Sequence, residues 1–146
     1  MSLTHGITKA EDAFGGTAWN VVGHTYTPKL LSENAFIWHA ELPADTFVPP
    51  HIHPTQDEWI VMLEGNLEVE FGGEVHKAGP GDTVRMPMGE AHGIFNRSGE
   101  TATCIFGVAP SRKLFELFGK LDGVTDPETL VRISAEHEVE FLPPPG

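Results

Sequence analysis

One cysteine, one tyrosine and nine basic residues in 146 positions rule out several classes of protein at the start. With Cys104 alone, no internal disulfide can form. Its setting, Thr103-Cys104-Ile105-Phe106, is apolar. That reads as a buried small hydrophobe rather than a nucleophile. Nine Lys and Arg against 21 Asp and Glu leave a formal charge of −12. Polyanions and anionic lipid surfaces reward clustered cations, so neither nucleic acid nor a membrane is the expected partner. No apolar run approaches the length of a membrane span. The first twenty residues carry Lys9, Glu11 and Asp12 and have no apolar core of a secretion signal. The expectation is a cytoplasmic protein. Internal repeats, charge blocks and low-complexity linkers are also missing.

What the chain does have is 16 glycines and 12 prolines, which suit many short strands joined by tight turns. Residues 1–33 read as an irregular lead-in with one strand at Trp19-Asn20-Val21-Val22. From 34 to about 109 the side-chain period is mostly two. Leu67, Val69 and Phe71 alternate with Glu68 and Glu70, as a strand with one wet face requires. Glu58 to Leu63 is apolar on both faces apart from Glu58, which predicts burial on both. Regular turn signals, among them Gly72-Gly73 and Gly79-Pro80-Gly81-Asp82, point to an all-β sandwich or barrel. One domain of 146 residues is expected, with its core at about 34–109 and a helical extension over 111–146.

In that extension Leu114, Phe115, Leu117, Phe118 and Leu121 form a helical apolar stripe. Asp126-Pro127-Glu128 then opens a second helix with an N-cap, a proline at N1 and an acid in the first turn. These helices predict a lid on the sheet or a contact between subunits. Phe141-Leu142-Pro143-Pro144-Pro145 reads as an extended surface strap.

The chemistry concentrates in two stretches. In Pro50-His51-Ile52-His53-Pro54-Thr55-Gln56-Asp57-Glu58, the two-residue period of a strand puts His51 and His53 on one face. After a short turn Glu58 opens the next strand with its carboxylate on the same interior, beside apolar Ile60 and Met62. A buried cation would compensate that carboxylate. In Gly81 to Asn96, Pro87 and Gly89 aim the following strand, and His92 points inward with Ile94. Three imidazoles and one carboxylate suit a divalent transition metal. An octahedral ion would keep two positions open, as a catalytic site does. His5, His24, His39, His76 and His137 lack such a context and read as surface or helix histidines. His39 is set apart by the strand that leads into the site.

These stretches resemble the two motifs of the cupin superfamily. His51, His53, Glu58 and Gly65 match the first motif, with Asp45 where that motif begins on glycine. Gly81, Pro87, Gly89, His92 and Asn96 match the second at every position. The whole is similar to bacterial quercetinase-like cupins. The resemblance implies a double-stranded β-helix, a jelly-roll barrel, with His51, His53, Glu58 and His92 as ligands. Fe²⁺ or Mn²⁺ is favoured, and Ni²⁺, Co²⁺, Cu²⁺ or Zn²⁺ is compatible with the same donors. It also implies a homodimer with exchanged or paired N-terminal strands, and a small-molecule substrate.

Fold alone does not select a reaction. The leading expectation is a dioxygenase acting on a phenolic, polyketide-like or β-dicarbonyl substrate, with Glu58 leaving the metal to act as base. The alternatives are a redox-neutral isomerase, cyclase or lyase, and a non-catalytic binding or sensor module. Tyr26, His39, Glu41 and Glu90 are candidate proton-transfer groups. Phe36, Trp38, Trp59, Met62, Met86, Phe95 and Phe106 are candidate pocket walls, about half of them expected to be plain core.

Overall fold

The computed structural model describes residues 3–143, so Pro144 and Pro145 of the expected strap lie outside it. Eleven strands form two antiparallel sheets. The strands are β1 (Trp19–Val21), β2 (His24–Leu31), β3 (Phe36–Leu42), β4 (Phe47–Ile52), β5 (Asp57–Glu64) and β6 (Leu67–Phe71). They continue with β7 (Glu74–Ala78), β8 (Thr83–Met86), β9 (His92–Phe95), β10 (Ala102–Ala109) and β11 (Glu140–Phe141). One sheet runs β1-β2-β3-β10-β5-β8 and the other β11-β4-β9-β6-β7. From β3 to β6, and again from β7 to β11, successive strands alternate between the two sheets, as in a jelly roll. This is the expected all-β barrel, followed by helices α1 (Leu114–Leu121) and α2 (Pro127–Glu136).

Alternation builds the interior. Phe36, Trp38, Ala40 and Leu42 of β3 are wholly buried, as are Cys104, Phe106 and Val108 of β10. Trp38 stacks on Phe106 with ring centroids 5.2 Å apart, and Phe118 of α1 meets Trp38 edge-on at 4.9 Å. The stripe of α1 (Leu114, Leu117, Phe118, Leu121) is buried against this cluster, as its spacing predicts. Asp126 caps α2 by accepting from the Thr129 N–H at 3.0 Å, with Pro127 at the first turn.

Two motif positions owe their residue type to the backbone. Gly65 has φ +75, and a Cβ there would come within 2.8 Å of Ala102 Cα. Asp45, at the position where the family motif begins on glycine, has φ +65, a region that Asp tolerates better than most side chains.

Three expectations need correction. The lead-in holds a second strand, β2, which pairs with β3 from Thr25 to Leu31. Its alternation is broken at Pro28, where the register shifts before Leu30, and that irregularity hides it in the sequence. The outer face of β5 is not buried: Trp59 and Val61 are half-buried and Leu63 is 44 % exposed. A run that is apolar on both faces cannot show whether anything covers the second. His24 is no surface histidine. It lies wholly buried on the inner face of β2.

Candidate metal centre

Strand β4 brings His51 to the interior, and His53 follows one residue beyond its end. The chain then crosses to the other sheet through Pro54-Thr55-Gln56, and β5 delivers Glu58. His92 arrives on β9, directly opposite His51 in the β4–β9 register. All four side chains are buried, and one donor atom from each lies within 4.8 Å of the others. His92 Nε2 lies 2.7 Å from Glu58 Oε1, and His53 Nε2 lies 3.6 Å from the same oxygen.

The outer nitrogens are held by protein. His51 Nδ1–H donates to Pro49 O at 2.8 Å. Gln56 has its Nε2 committed to Pro110 O (3.0 Å) and Ser111 O (2.8 Å), so its Oε1 must accept from His53 Nδ1–H at 3.0 Å. Both rings therefore keep Nε2 free for a cation, the orientation that partners of metal-bound histidines impose. Gln56 is a residue that the sequence reading passed over. Its place in a motif turn next to two histidines was the available signal.

The donor set fits a divalent ion on physical grounds. Glu58 Oε1 and both nitrogens of His92 are buried without a hydrogen-bond partner, despite the short approach of Oε1 to Nε2. Such groups cost about 1–3 kcal/mol each unless something completes them. Burial works to raise the Glu58 carboxyl, but His53, His92 and His51 outweigh it and hold it at about 2. Burial, with help from His92 and His53, pushes His51 down to about 3. An ionised carboxylate beside a neutral imidazole is the state in which both can ligate.

A cavity opens on three of these donors, His51, His53 and Glu58. It is lined by Tyr26, Trp38 and Phe106 of the sheet, by Leu114, Leu117 and Phe118 of α1, and by Leu130 and Ser134 of α2. Val139 and Phe141, leading into and within β11, close another side, with the Phe141 ring 5.3 Å from that of His51. The free volume is about 50 Å³, room for a few water molecules. Of the expected pocket walls only Trp38 and Phe106 line it. Phe36, Met62 and Met86 are core, while Trp59 and Phe95 are half-buried. The helices thus serve as the cover that one of the two expectations described. They are tied down where Glu138 accepts from Thr55 Oγ1 (2.6 Å) and Arg112 Nη2 (2.9 Å).

Of the proton-transfer candidates, Tyr26 lines this cavity. His39 and Glu41 alternate with buried Trp38 and Ala40 and so face the outside of β3, and Glu90 is not a cavity wall. Tyr26 Oη sits 3.1 Å from His24 Nδ1, deep in the core. Burial, reinforced by the Glu58 charge, raises the phenol and keeps it protonated. Burial also lowers His24 to about 4. Cys104 is pushed up to about 12 by burial and the Glu58 charge, which makes it inert.

His24 carries a prediction about acid stability. Its native value lies below the ordinary 6.5, so the unfolded chain takes up the proton first. The stabilisation is complete above pH 6.5 and is lost as pH falls toward 4, up to about 3 kcal/mol. Urea unfolding across that range should show a shallower acid loss for His24→Leu than for wild type. Parallel pH profiles would mean that His24 does not titrate there.

The sequence comparisons agree with this geometry. A family model described as Cupin domain matches residues 38–108. Together with the two motifs and the jelly-roll topology, this identifies the barrel as a cupin domain. It is 30 % identical over 85 residues to the tetracenomycin polyketide synthase protein TcmJ of Streptomyces glaucescens, covering 58 % of this chain and 57 % of that one. The chain spans about half the length of the curated relatives it matches. Among solved structures, an RmlC-like cupin from Shewanella frigidimarina superposes with a TM-score of 0.70 at 16 % identity, covering 79 % of this chain and 99 % of the other. The polyketide cyclase RemF from Streptomyces resistomycificus gives 0.56 at 20 %, covering 76 % and 80 %. No helix among the described residues is long and apolar enough to cross a membrane.

Proposed function

We propose that this cupin is a metal-dependent enzyme that cyclises or isomerises a polyketide-like, enolisable aromatic precursor without net oxidation. One observation carries the reading: an almost wholly apolar, aromatic-walled cavity, lined also by Tyr26, opens on His51, His53 and Glu58 of the four clustered donors. A sugar or a small dicarboxylate would want a ring of polar walls, and this cavity has few. TcmJ and RemF, whose names connect them with polyketides, support the same substrate class.

His51, His53, Glu58 and His92 hold the divalent ion, for which Fe²⁺ and Mn²⁺ are the favoured identities. When bound, the ion supplies Lewis-acid polarisation of a substrate carbonyl. The remaining work belongs to the chain. Trp38, Phe106 and Phe118 hold a flat substrate and exclude water. Tyr26, kept protonated, donates a hydrogen bond to the substrate oxygen on which charge develops. Glu58 serves as a ligand in this scheme. Its release as a base belongs to the oxygenase alternative. A homodimer forms part of the proposal, supported by the uncovered apolar face of Trp59, Val61 and Leu63.

The test is turnover of linear β-polyketones by the metal-loaded protein, with and without O₂. Products lighter by one water, formed equally well without O₂, support cyclisation. Products that gain both atoms of O₂ would replace this reading with the dioxygenase. No turnover with any metal would leave a binding module.

A further inference from the structure

Helix α2 turns one fully buried side chain inward, and it is a serine. Ser134 is 0 % exposed and lines the cavity beside Leu117, Leu121, Leu130 and Val139. Its Oγ has no hydrogen-bond partner. That is unusual twice over. A helical serine normally returns its hydroxyl to the carbonyl four residues back, and an unsatisfied buried hydroxyl is costly where alanine would cost nothing. Trp38, another cavity wall, also carries a buried, unpartnered Nε1–H. An indole N–H can only donate, and a serine hydroxyl can donate as well. Besides the metal donors, the walls thus offer hydrogen-bond donors that the protein itself leaves unused.

We infer that Ser134 is a specificity-determining residue that hydrogen-bonds a second oxygen of the substrate, remote from the oxygens held at the metal centre. The ligand class follows: a flat, apolar ring system bearing carbonyl or phenolic oxygens at two separate places. This rests on the proposed function and deepens it. The free volume of about 50 Å³ is too small for fused rings, so α2 must move outward to admit them. Ser134 rides on that helix, and its bond to the ligand helps to draw the cover back. The backbone ties it to the site as well. Ser134 O accepts from Val139 N at 3.0 Å, and Phe141, two residues further on, stands against His51.

The experiment uses cobalt-loaded protein, whose visible spectrum reports chelation at the metal centre. The parent probe is 2-acetyl-1-naphthol, an ortho-acyl phenol. The comparison probes are monohydroxylated analogues with the extra hydroxyl on the far ring. At least one analogue should bind wild type about ten-fold more tightly than the parent. In Ser134→Ala that advantage should vanish, while parent affinity and the cobalt spectrum stay unchanged. Ser134→Ala should also unfold at no lower temperature than wild type, because it removes an unsatisfied group. If the parent binds but no analogue gains, or the gain survives in Ser134→Ala, the inference is overturned and the proposed function stands. If no probe perturbs the cobalt spectrum, the reading of the cavity as a substrate site fails and takes the inference with it.

Discussion

His92→Ala should empty the metal centre. Purified in parallel with wild type and assayed for metal, the variant should fall from near-full occupancy to a small fraction. The expectation follows from where His92 stands. It faces His51 across the β4–β9 pair and brings Nε2 to 2.7 Å from Glu58 Oε1. Losing even an outer partner of a ligand typically weakens metal binding about 10–100-fold, and losing a ligand exceeds that. The variant also strands Glu58, a buried carboxylate whose nearest imidazole is gone, so the centre cannot close around the remaining donors. Stripping the wild type with a chelator should lower its unfolding temperature. A ligand present at about a thousand times its dissociation constant contributes about 4 kcal/mol. The same chelator should leave metal-free His92→Ala where it was. His39→Ala, on the outer face of β3, is the control and should retain full occupancy. Wild-type occupancy in His92→Ala would refute the ligand assignment.

The cluster of four donors was legible in the sequence because short strands are rigid rulers. A His-x-His on an extended chain has one geometric outcome, and Pro54 and Gly89 place the flanking turns. The barrel was legible for the same reason, through period two and regular turn signals. What escaped depends on long-range contacts. His24 and Tyr26 alternate inward on β2 with Thr25 and Thr27 facing out, a readable pattern obscured by Pro28 and by the polarity of histidine. Ser134 falls on the inward stripe of α2, four residues after Leu130 and one after Ile133. Helical spacing alone does not say that this stripe closes a cavity. The sequence also could not show that α1, α2 and β11 fold back over the barrel interior. That depends on Phe118 meeting Trp38 and on Glu138 reaching Thr55 across 83 residues of chain. The walls that decide the chemistry come mainly from outside the motifs. This is why the metal is easier to read than the reaction.

Tyr26→Phe should lower kcat by about 10²–10³-fold on any substrate the metal-loaded enzyme turns over. The substitution keeps the ring, and with it the packing on Trp38 at 5.8 Å and Phe118 at 5.0 Å. It removes one oxygen, among the described residues the only cavity group outside the metal donors that pairs with a second titratable side chain. KM should change little, because the aromatic walls that bind the substrate remain. Metal content should match wild type, because Tyr26 is not among the four clustered donors. The variant leaves His24 Nδ1 without its partner, a buried orphan that costs about 1–3 kcal/mol. A modest fall in unfolding temperature is therefore part of the expected result. His24→Leu combined with Tyr26→Phe removes both polar groups and should recover part of that stability without recovering rate. This combination separates the two roles that Tyr26 could have. If the phenol were only a structural partner of His24, the double variant would regain activity along with stability. If Tyr26 donates the hydrogen bond that stabilises the substrate oxygen, the double variant stays as slow as the single one.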